Sequence, residues 1–483
     1  MDGGKKLEET SEKVDLDKLA NDLNKQLSFK KEDSDNLISM EPKKMINDDD
    51  VDIESSVKEI RVAVIGNVDS GKSTLVGVLT KCTLDDGRGS ARQLVFNYSH
   101  ERENGRTSSI TQEIMGFKGK TQIEPYKTTD KKNNLWSKIV KDSDKVISII
   151  DLCGHEKYLK TTIFGLTGLV PDYAMVVIGA NMGVQRMTKE HLGIALALKV
   201  PIIIVITKID IAPQDIYKQT LDYIIKVLKS TGANKMPVIV REKDDVSIYA
   251  ENIASDRISP IFCVSSVTGE GIEQLRSFMG SLNSRVGVMN TFRPQNEKVE
   301  FHIDGSFNVK GVGLVLSGVL VSGTITKEQV LKIGPDLKGD FRQVVVKSIH
   351  FKRVPVDEIT SGNSCCIQIK SKDNIKQTDI RKGMVILDKD SNSKCVYEFD
   401  AEVVILHHAT TIKPKYQAVL HCGVVRQTAQ VISMSSELLR TGDKGIIKFR
   451  FIRSPEFLHE GSSILFREGR TRGLGQIVKL YYN

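Results

Sequence analysis

No apolar run in this 483-residue chain approaches the roughly 18 residues that a membrane-spanning helix needs, so no membrane partner is expected. The opening MDGGKKLEETSEK lacks the apolar core of a secretory signal and is too acidic for a transit peptide. Seven cysteines, an odd number with no C-x-x-C pair, fit a reducing compartment and offer no zinc-site spacing. A cytoplasmic, monomeric protein is the expectation. Cys365 and Cys366, within the apolar CCIQI, read as core thiols. His407 and His408 are adjacent on an expected strand, face opposite sides and so cannot readily share a metal. Tryptophan occurs once, at Trp136.

Charge is abundant but unevenly placed. The net charge is +8, yet Met1 to Ser56 holds nine lysines against sixteen acidic residues, a balance of −7 that leaves +15 on the remainder. A basic body suits a polyanion such as RNA, and a solvated basic surface explains it equally well. The acidic segment 1–56 has almost no aromatics and reads as disordered apart from a short helix at VDLDKLANDLNKQL, serving either as a docking arm or as a solubilising tail.

Beyond that segment the pattern changes twice. Over 57–290, apolar strands (RVAVIG, KVISIID, YAMVVIGAN, PIIIVITKID) alternate with stretches of helical spacing, the signature of a doubly wound, mainly parallel α/β sheet. From 298 onward, short β-rich runs are separated by Gly, Pro and Asp turns, as β-barrels require. A break near LDKDSNSKCVYE divides this half into barrels over 298–390 and 396–483.

The stretch GNVDSGKS, Gly66 to Ser73, fits G-x-x-x-x-G-K-[ST] and lies between an apolar strand and a helix-competent segment. In that context the backbone N–H groups of Asn67, Val68, Asp69, Ser70, Gly71, Lys72, Ser73 and Thr74 would cradle phosphates. Lys72 would neutralise the β- and γ-phosphates, and the Ser73 hydroxyl would reach Mg2+. The sequence IIDLCGH then places Asp151 at a strand end, to hold Mg2+ through water, and Gly154 to offer its N–H to a γ-phosphate. His155 follows, where it would orient the attacking water.

Asp210 in ITKID decides the base. A carboxylate accepts two hydrogen bonds from guanine N1–H and its amine, whereas adenine leaves it poorly paired, so the expected ligands are GTP and GDP. Lys208 would pack along the base and Thr207 would support the loop. Thr107 in ENGRTSSI would join Mg2+ and order its loop only with GTP, although the segment also reads as a plain polar loop. In FCVSSVTGEG, Ser265 and Ser266 follow a strand and would support the guanine carbonyl.

With these residues in view, 60–483 resembles the translational GTPases of the elongation factor 1-alpha and elongation factor Tu superfamily, through VDSGKST, DLCGHEKYLKT, TKID, GVGLVLSGVLVSGTI and FREGRTRGLGQI. LDDGRGSARQ, GRTSSI and MTKEHLGIALAL make it most similar to the GTP-binding protein 1 and GTP-binding protein 2 family. The resemblance implies an α/β P-loop GTPase domain followed by two β-barrel domains. It also implies ribosome-stimulated GTP hydrolysis with aminoacyl-tRNA or a tRNA-like factor, and a link to messenger RNA turnover. The catalytic set it implies is His155, Asp69, Lys72 and Thr107. The alternative is a GTP-responsive adaptor that recruits RNA-decay machinery.

Three departures accompany the resemblance. Arg106 stands where an apolar gate residue is expected, and Thr207 replaces the usual Asn. The lysine-rich FKGKTQIEPYKTTDKKNNLW is an insert that reads as an RNA-contacting loop or a solvated excursion. Arg467, Arg470 and Arg472 are either phosphate contacts or exposed strand-turn arginines.

Overall fold

The computed structural model describes residues 57–125, 132–230, 232–241, 246–285, 298–373, 375–391, 393–407, 410–468 and 471–482. The acidic segment with its expected helix, His408 and Arg470 lie outside the described residues, as do the side chains of His407 and Arg472.

Eight strands form the first sheet: β1 (Lys58–Gly66), β2 (Thr111–Lys118), β3 (Thr121–Gln122), β4 (Lys145–Asp151), β5 (Tyr173–Gly179), β6 (Ile202–Thr207), β7 (Met236–Ile239) and β8 (Ile258–Cys263). Their order is β3-β2-β4-β1-β5-β6-β8-β7. The pairings from β4 through β7 are parallel, and β2 runs antiparallel to both of its neighbours. Helices α1 (Lys72–Lys81), α2 (Ser90–Gln93), α3 (Ser99–Asn104), α4 (Lys132–Lys141), α5 (Leu159–Thr167), α6 (Arg186–Ala197), α7 (Gln214–Lys229), α8 (Val246–Asn252) and α9 (Ile272–Ser281) connect the strands.

Strand side chains alternate between faces, which explains why β1 reads as a continuous apolar run. Ile60, Val62 and Val64 pack with Leu75 and Leu79 of α1 and Phe278 of α9. Ala63 and Ile65 pack on the opposite face with Leu159 and Ile163 of α5 and Leu192 of α6.

The second half is β. Strands β9 (Glu300–Val309), β10 (Gly313–Ser322), β11 (Thr324–Thr326), β12 (Val330–Gly334), β13 (Arg342–Phe351), β14 (Val354–Val356), β15 (Glu358–Thr360), β16 (Ser364–Lys370) and β17 (Val385–Asp388) build the first barrel module. Its ring runs β12-β17-β9-β10-β16-β13 and closes through the β12–β13 pair. Strands β18 (Glu398–His407), β19 (Gln417–Cys422), β20 (Val425–Met434), β21 (Lys444–Phe451), β22 (Ser463–Glu468) and β23 (Thr471–Tyr481) form the second closed ring. Phe399, Phe449, Phe451 and Phe466 fill its interior.

The modules meet through polar as well as apolar contacts. Glu59 of β1 is ion-paired to Lys352 of the first barrel at 2.7 Å. Arg381 clasps Glu456 in the second barrel through two 2.8 Å hydrogen bonds. Leu465 and Leu474 of the second barrel join the core beneath α5, and Lys382 lies 4.8 Å from the Phe164 ring centroid.

The lysine-rich insert is exposed at 118–121, as a solvated excursion would be, but its Trp136 end departs from both sequence readings. Residues 126–131 lie outside the described residues, but Trp136 sits in α4 and is 1% exposed. The Arg353 guanidinium of the first barrel lies 4.5 Å from the centre of the Trp136 ring. An indole at a helical position has enough apolar area to anchor the end of the insert against a neighbouring module.

Candidate functional site

The turn between β1 and α1 carries the phosphate-loop residues. Asp69 takes a left-handed conformation (φ 60°), as does Gly71 (φ 86°), so the chain curls and its N–H groups converge ahead of the helix N-terminus. Lys72 folds back and donates to the Asn67 carbonyl at 2.6 Å. Burial lowers the Lys72 pKa, while Asp151 nearby opposes that shift. A Cβ added at Gly154 would lie 2.5 Å from the Lys72 ammonium and 2.7 Å from the Val68 nitrogen, so only glycine fits against this loop.

Ser73, Thr107 and Asp151 come from three separate elements and converge. The Ser73 hydroxyl donates to Asp151 Oδ2 at 2.6 Å and lies 2.7 Å from the Thr107 hydroxyl, which is itself 3.4 Å from the same carboxylate oxygen. Asp151 Oδ1 is buried without a partner. Burial pushes the Asp151 carboxyl up to about 6, against the opposing pull of Lys72 and Ser73. Two hydroxyls and a carboxylate, one of its oxygens unsatisfied, are a hard oxygen donor set of the kind that suits Mg2+.

On the base side, Thr207 at the end of β6 donates to the Ser70 carbonyl at 2.7 Å and also contacts the Ile178 carbonyl at 3.3 Å. Lys208, at φ 60°, donates to the Asp69 carbonyl at 2.7 Å, and Asp210 beyond it is exposed. Ser265 is buried; its hydroxyl accepts the N–H groups of Val267 and Thr268 and so shapes its own loop. The Ser266 carbonyl accepts the Asp85 N–H at 2.9 Å.

A cavity of about 300 Å3 opens over these groups, lined by Val68, Asp69, Ser73, Thr74, Thr107 and His155 among others. His155 is exposed at its rim, and its Nδ1 accepts the Lys157 N–H at 3.0 Å. Across the mouth Arg106 faces Asp69 at 3.5 Å, so a polar contact stands where an apolar gate would be.

Residues 58–284 match the family model of the elongation factor Tu GTP binding domain. GTP-binding protein 2 of Homo sapiens is 41% identical over 422 residues, an overlap covering 87% of this chain and 69% of that protein. The chain belongs to the GTP-binding protein 1 and 2 family. GTP-binding protein 1 of Xenopus laevis is 49% identical over 422 residues, and the chain spans 63% of its length. Membership places the chain among the translational GTPases of the elongation factor Tu and 1-alpha type and makes its first module a guanine-nucleotide-binding domain. The structure of a bacterial selenocysteine-specific elongation factor shares the fold, with a TM-score of 0.61 at 20% identity over 87% of this chain and 58% of that one.

Two residues that the structure places beside these groups were not singled out from the sequence. His191 on α6 is fully buried, and its Nδ1 accepts the Gly66 N–H at 3.2 Å, supporting the phosphate loop from beneath. Burial, and then the nearby Lys72 charge, bring its pKa down to about 3, which keeps the ring neutral as an acceptor must be. A histidine on the apolar face of a helix was the available signal. Arg92 on α2 lines the cavity; it lies in the LDDGRGSARQ stretch that carries the resemblance, but no role was read for it there. Of the barrel candidates, Arg467 is half-buried on β22, and Cys365 is buried while Cys366 is half-buried.

Proposed function

We propose that the chain binds GTP with Mg2+ and hydrolyses it, stimulated by the ribosome, while engaging aminoacyl-tRNA or a tRNA-like factor in elongation or messenger RNA quality control in the cytoplasm. The observation that carries the reading is the convergence of Ser73, Thr107 and Asp151 on one point beside the Gly154 and Lys72 cradle. Bound there, Mg2+ would draw charge from the β- and γ-phosphate oxygens. Ser73 and Thr107 would hold it directly and Asp151 through water. If the Thr107 contact to Mg2+ requires the γ-phosphate, GTP and GDP forms would differ in the order of the Thr107 loop.

Asn67 to Thr74 would hold the phosphates through backbone N–H groups. Asp210 would accept from guanine N1–H and its amine, Lys208 would lie along the base, and the loop of Ser265 and Ser266 would bound the guanine carbonyl. Thr207, in place of the usual Asn, supports this reading because its hydroxyl already ties β6 to the phosphate loop.

In the hydrolytic step a water oxygen bonds to the γ-phosphorus, one water proton passes to a γ-phosphate oxygen, the bond to the β–γ bridging oxygen breaks with its electron pair leaving on GDP, and inorganic phosphate is released. Lys72 would offset the developing charge. With its Nδ1 accepting from Lys157, a neutral His155 ring carries its proton on Nε2. Swung inward, it would orient the water as a donor and act as a positioning group. Its exposed rim position in the free protein supports a need for an external trigger.

The test is GTP hydrolysis by the purified protein, alone and with ribosomes carrying messenger RNA and aminoacyl-tRNA. Stimulation that requires both ribosome and aminoacyl-tRNA is expected. No stimulation would overturn the ribosomal reading in favour of a GTP-responsive adaptor that recruits RNA-decay machinery.

A further inference from the structure

The cavity over the phosphate loop has a cationic side chain that the reading above does not use. Arg92 leaves α2 and lines this cavity together with Lys72, Ser73 and Thr107. It is half-buried, and its Nε is buried without a hydrogen-bond partner. The side chain packs so closely on the backbone of two glycines that a Cβ built at Gly89 would lie 2.5 Å from Nε and one at Gly105 would lie 3.2 Å from a terminal guanidinium nitrogen. Gly105 is separated from Thr107 by one residue, so the guanidinium sits against the segment that carries one of the three converging hydroxyl and carboxylate groups.

Among the described residues, the other lysines and arginines of the cavity have partners. Lys72 donates to the Asn67 carbonyl, Arg106 faces Asp69, and Lys157 lies 5.6 Å from the centre of the Tyr158 ring. Among the described residues no such partner occurs for the Arg92 side chain. Packing on Gly89 shuts Nε off from the cavity and fixes the side chain, which leaves the terminal guanidinium nitrogens as the atoms able to meet an anion there. The cavity it faces suits a phosphate group, and the planar fork of arginine pairs well with phosphate oxygens.

The segment that presents Arg92 is itself fixed. The buried Asp85 carboxylate accepts the N–H groups of Gly87 at 3.0 Å, Gly89 at 3.1 Å and Ala91 at 2.9 Å. Its own N–H donates to the Ser266 carbonyl on the base side. The loop is therefore tethered at one end to the base loop and delivers a cation to the phosphate end at the other.

We propose that Arg92 is a catalytic residue supplied by the chain itself, which contacts the γ-phosphate of bound GTP and stabilises the charge that develops as the bond to the β–γ bridging oxygen breaks. The proposal deepens the GTP-hydrolysis reading and rests on it. A cation that touches only the γ-phosphate distinguishes GTP from GDP. One that also follows charge into the transition state raises the hydrolysis rate by more than it raises affinity.

The experiment compares full-length wild type with Arg92→Ala and Arg92→Lys. It reads single-turnover GTP hydrolysis with and without ribosomes, and dissociation constants for GDP and for a slowly hydrolysed GTP analogue. Arg88→Ala, which removes an exposed cation four residues earlier, is the control and is expected to change neither reading. Arg92→Ala is expected to slow hydrolysis on the order of 10²-fold. It is also expected to weaken the GTP analogue severalfold while leaving GDP affinity and melting temperature at wild-type values, with partial recovery in Arg92→Lys. Equal weakening of GDP and the analogue would overturn the proposal in favour of loop packing, and an unchanged rate in a wild type that hydrolyses would overturn it outright. If wild type does not hydrolyse GTP, the hydrolytic reading falls. The γ-phosphate contact is then judged by the affinity ratio, where loss in Arg92→Ala supports it and no change overturns it.

Discussion

The carboxylate of Glu59, in the strand that leads to the phosphate loop, is buried against the ammonium of Lys352 in the first barrel at 2.7 Å. Glu59 also accepts hydrogen bonds from the Ser148 hydroxyl at 2.5 Å and the Ser364 N–H at 2.6 Å. Burial by itself would raise the Glu59 pKa; the Lys352 and Arg61 charges and these hydrogen bonds outweigh it and hold the carboxyl below its ordinary value. The nucleotide sheet and the barrel are thus joined by a satisfied buried pair.

Breaking that pair leaves an uncompensated buried charge. Lys352→Met is expected to cost about 3–5 kcal/mol in denaturant unfolding, and Lys352→Met with Glu59→Gln to recover part of the loss. Because the folded Glu59 pKa is depressed, its contribution is fully present above the unfolded value and is lost as pH falls through the folded one. The stability difference between wild type and Glu59→Gln should therefore shrink on acidification below about pH 4.5.

Ser73→Ala should uncouple nucleotide affinity from Mg2+. In wild type, chelating Mg2+ is expected to weaken GTP binding strongly. In the variant, titration calorimetry with and without a chelator should give nearly equal, weak constants.

His155→Ala should leave GTP and GDP affinities within about twofold of wild type, since the exposed ring supports no other buried group. Ribosome-stimulated hydrolysis should fall about 10²-fold or more. Unchanged stimulated turnover in a stopped-flow phosphate-release assay would remove His155 from the mechanism.

Thr207→Val keeps the side-chain volume but removes the hydroxyl that donates to the Ser70 carbonyl. Loss of that buried bond is expected to weaken GDP and GTP alike by roughly tenfold, as about 1–1.5 kcal/mol implies. Fluorescent-nucleotide dissociation rates would check it.

Trp136 is the sole tryptophan of the chain and reports on one junction. Arg353→Ala should change its emission by removing the cation over the ring, with little loss of secondary structure. Trp136→Ala is expected to cost about 3–5 kcal/mol in unfolding.

Much of the candidate nucleotide site is legible in the amino-acid order, because the Gly66–Ser73 turn and the loops after β4 and β6 are local strand-end turns whose residue types follow from phosphate, cation and base chemistry. Gly154 and Lys72 were readable for that reason, as were the apolar runs of β1, β4, β5 and β6, which a sheet covered on both faces demands. Tertiary structure alone decided which distant groups meet. Nothing in the spacing places Glu59 against Lys352, His191 under Gly66, or Arg92 against Gly105. Those pairings depend on how the sheet, the α2 segment and the barrels pack. A long-range contact is fixed by the closure of whole modules, whereas a turn is fixed by its own few dihedral angles.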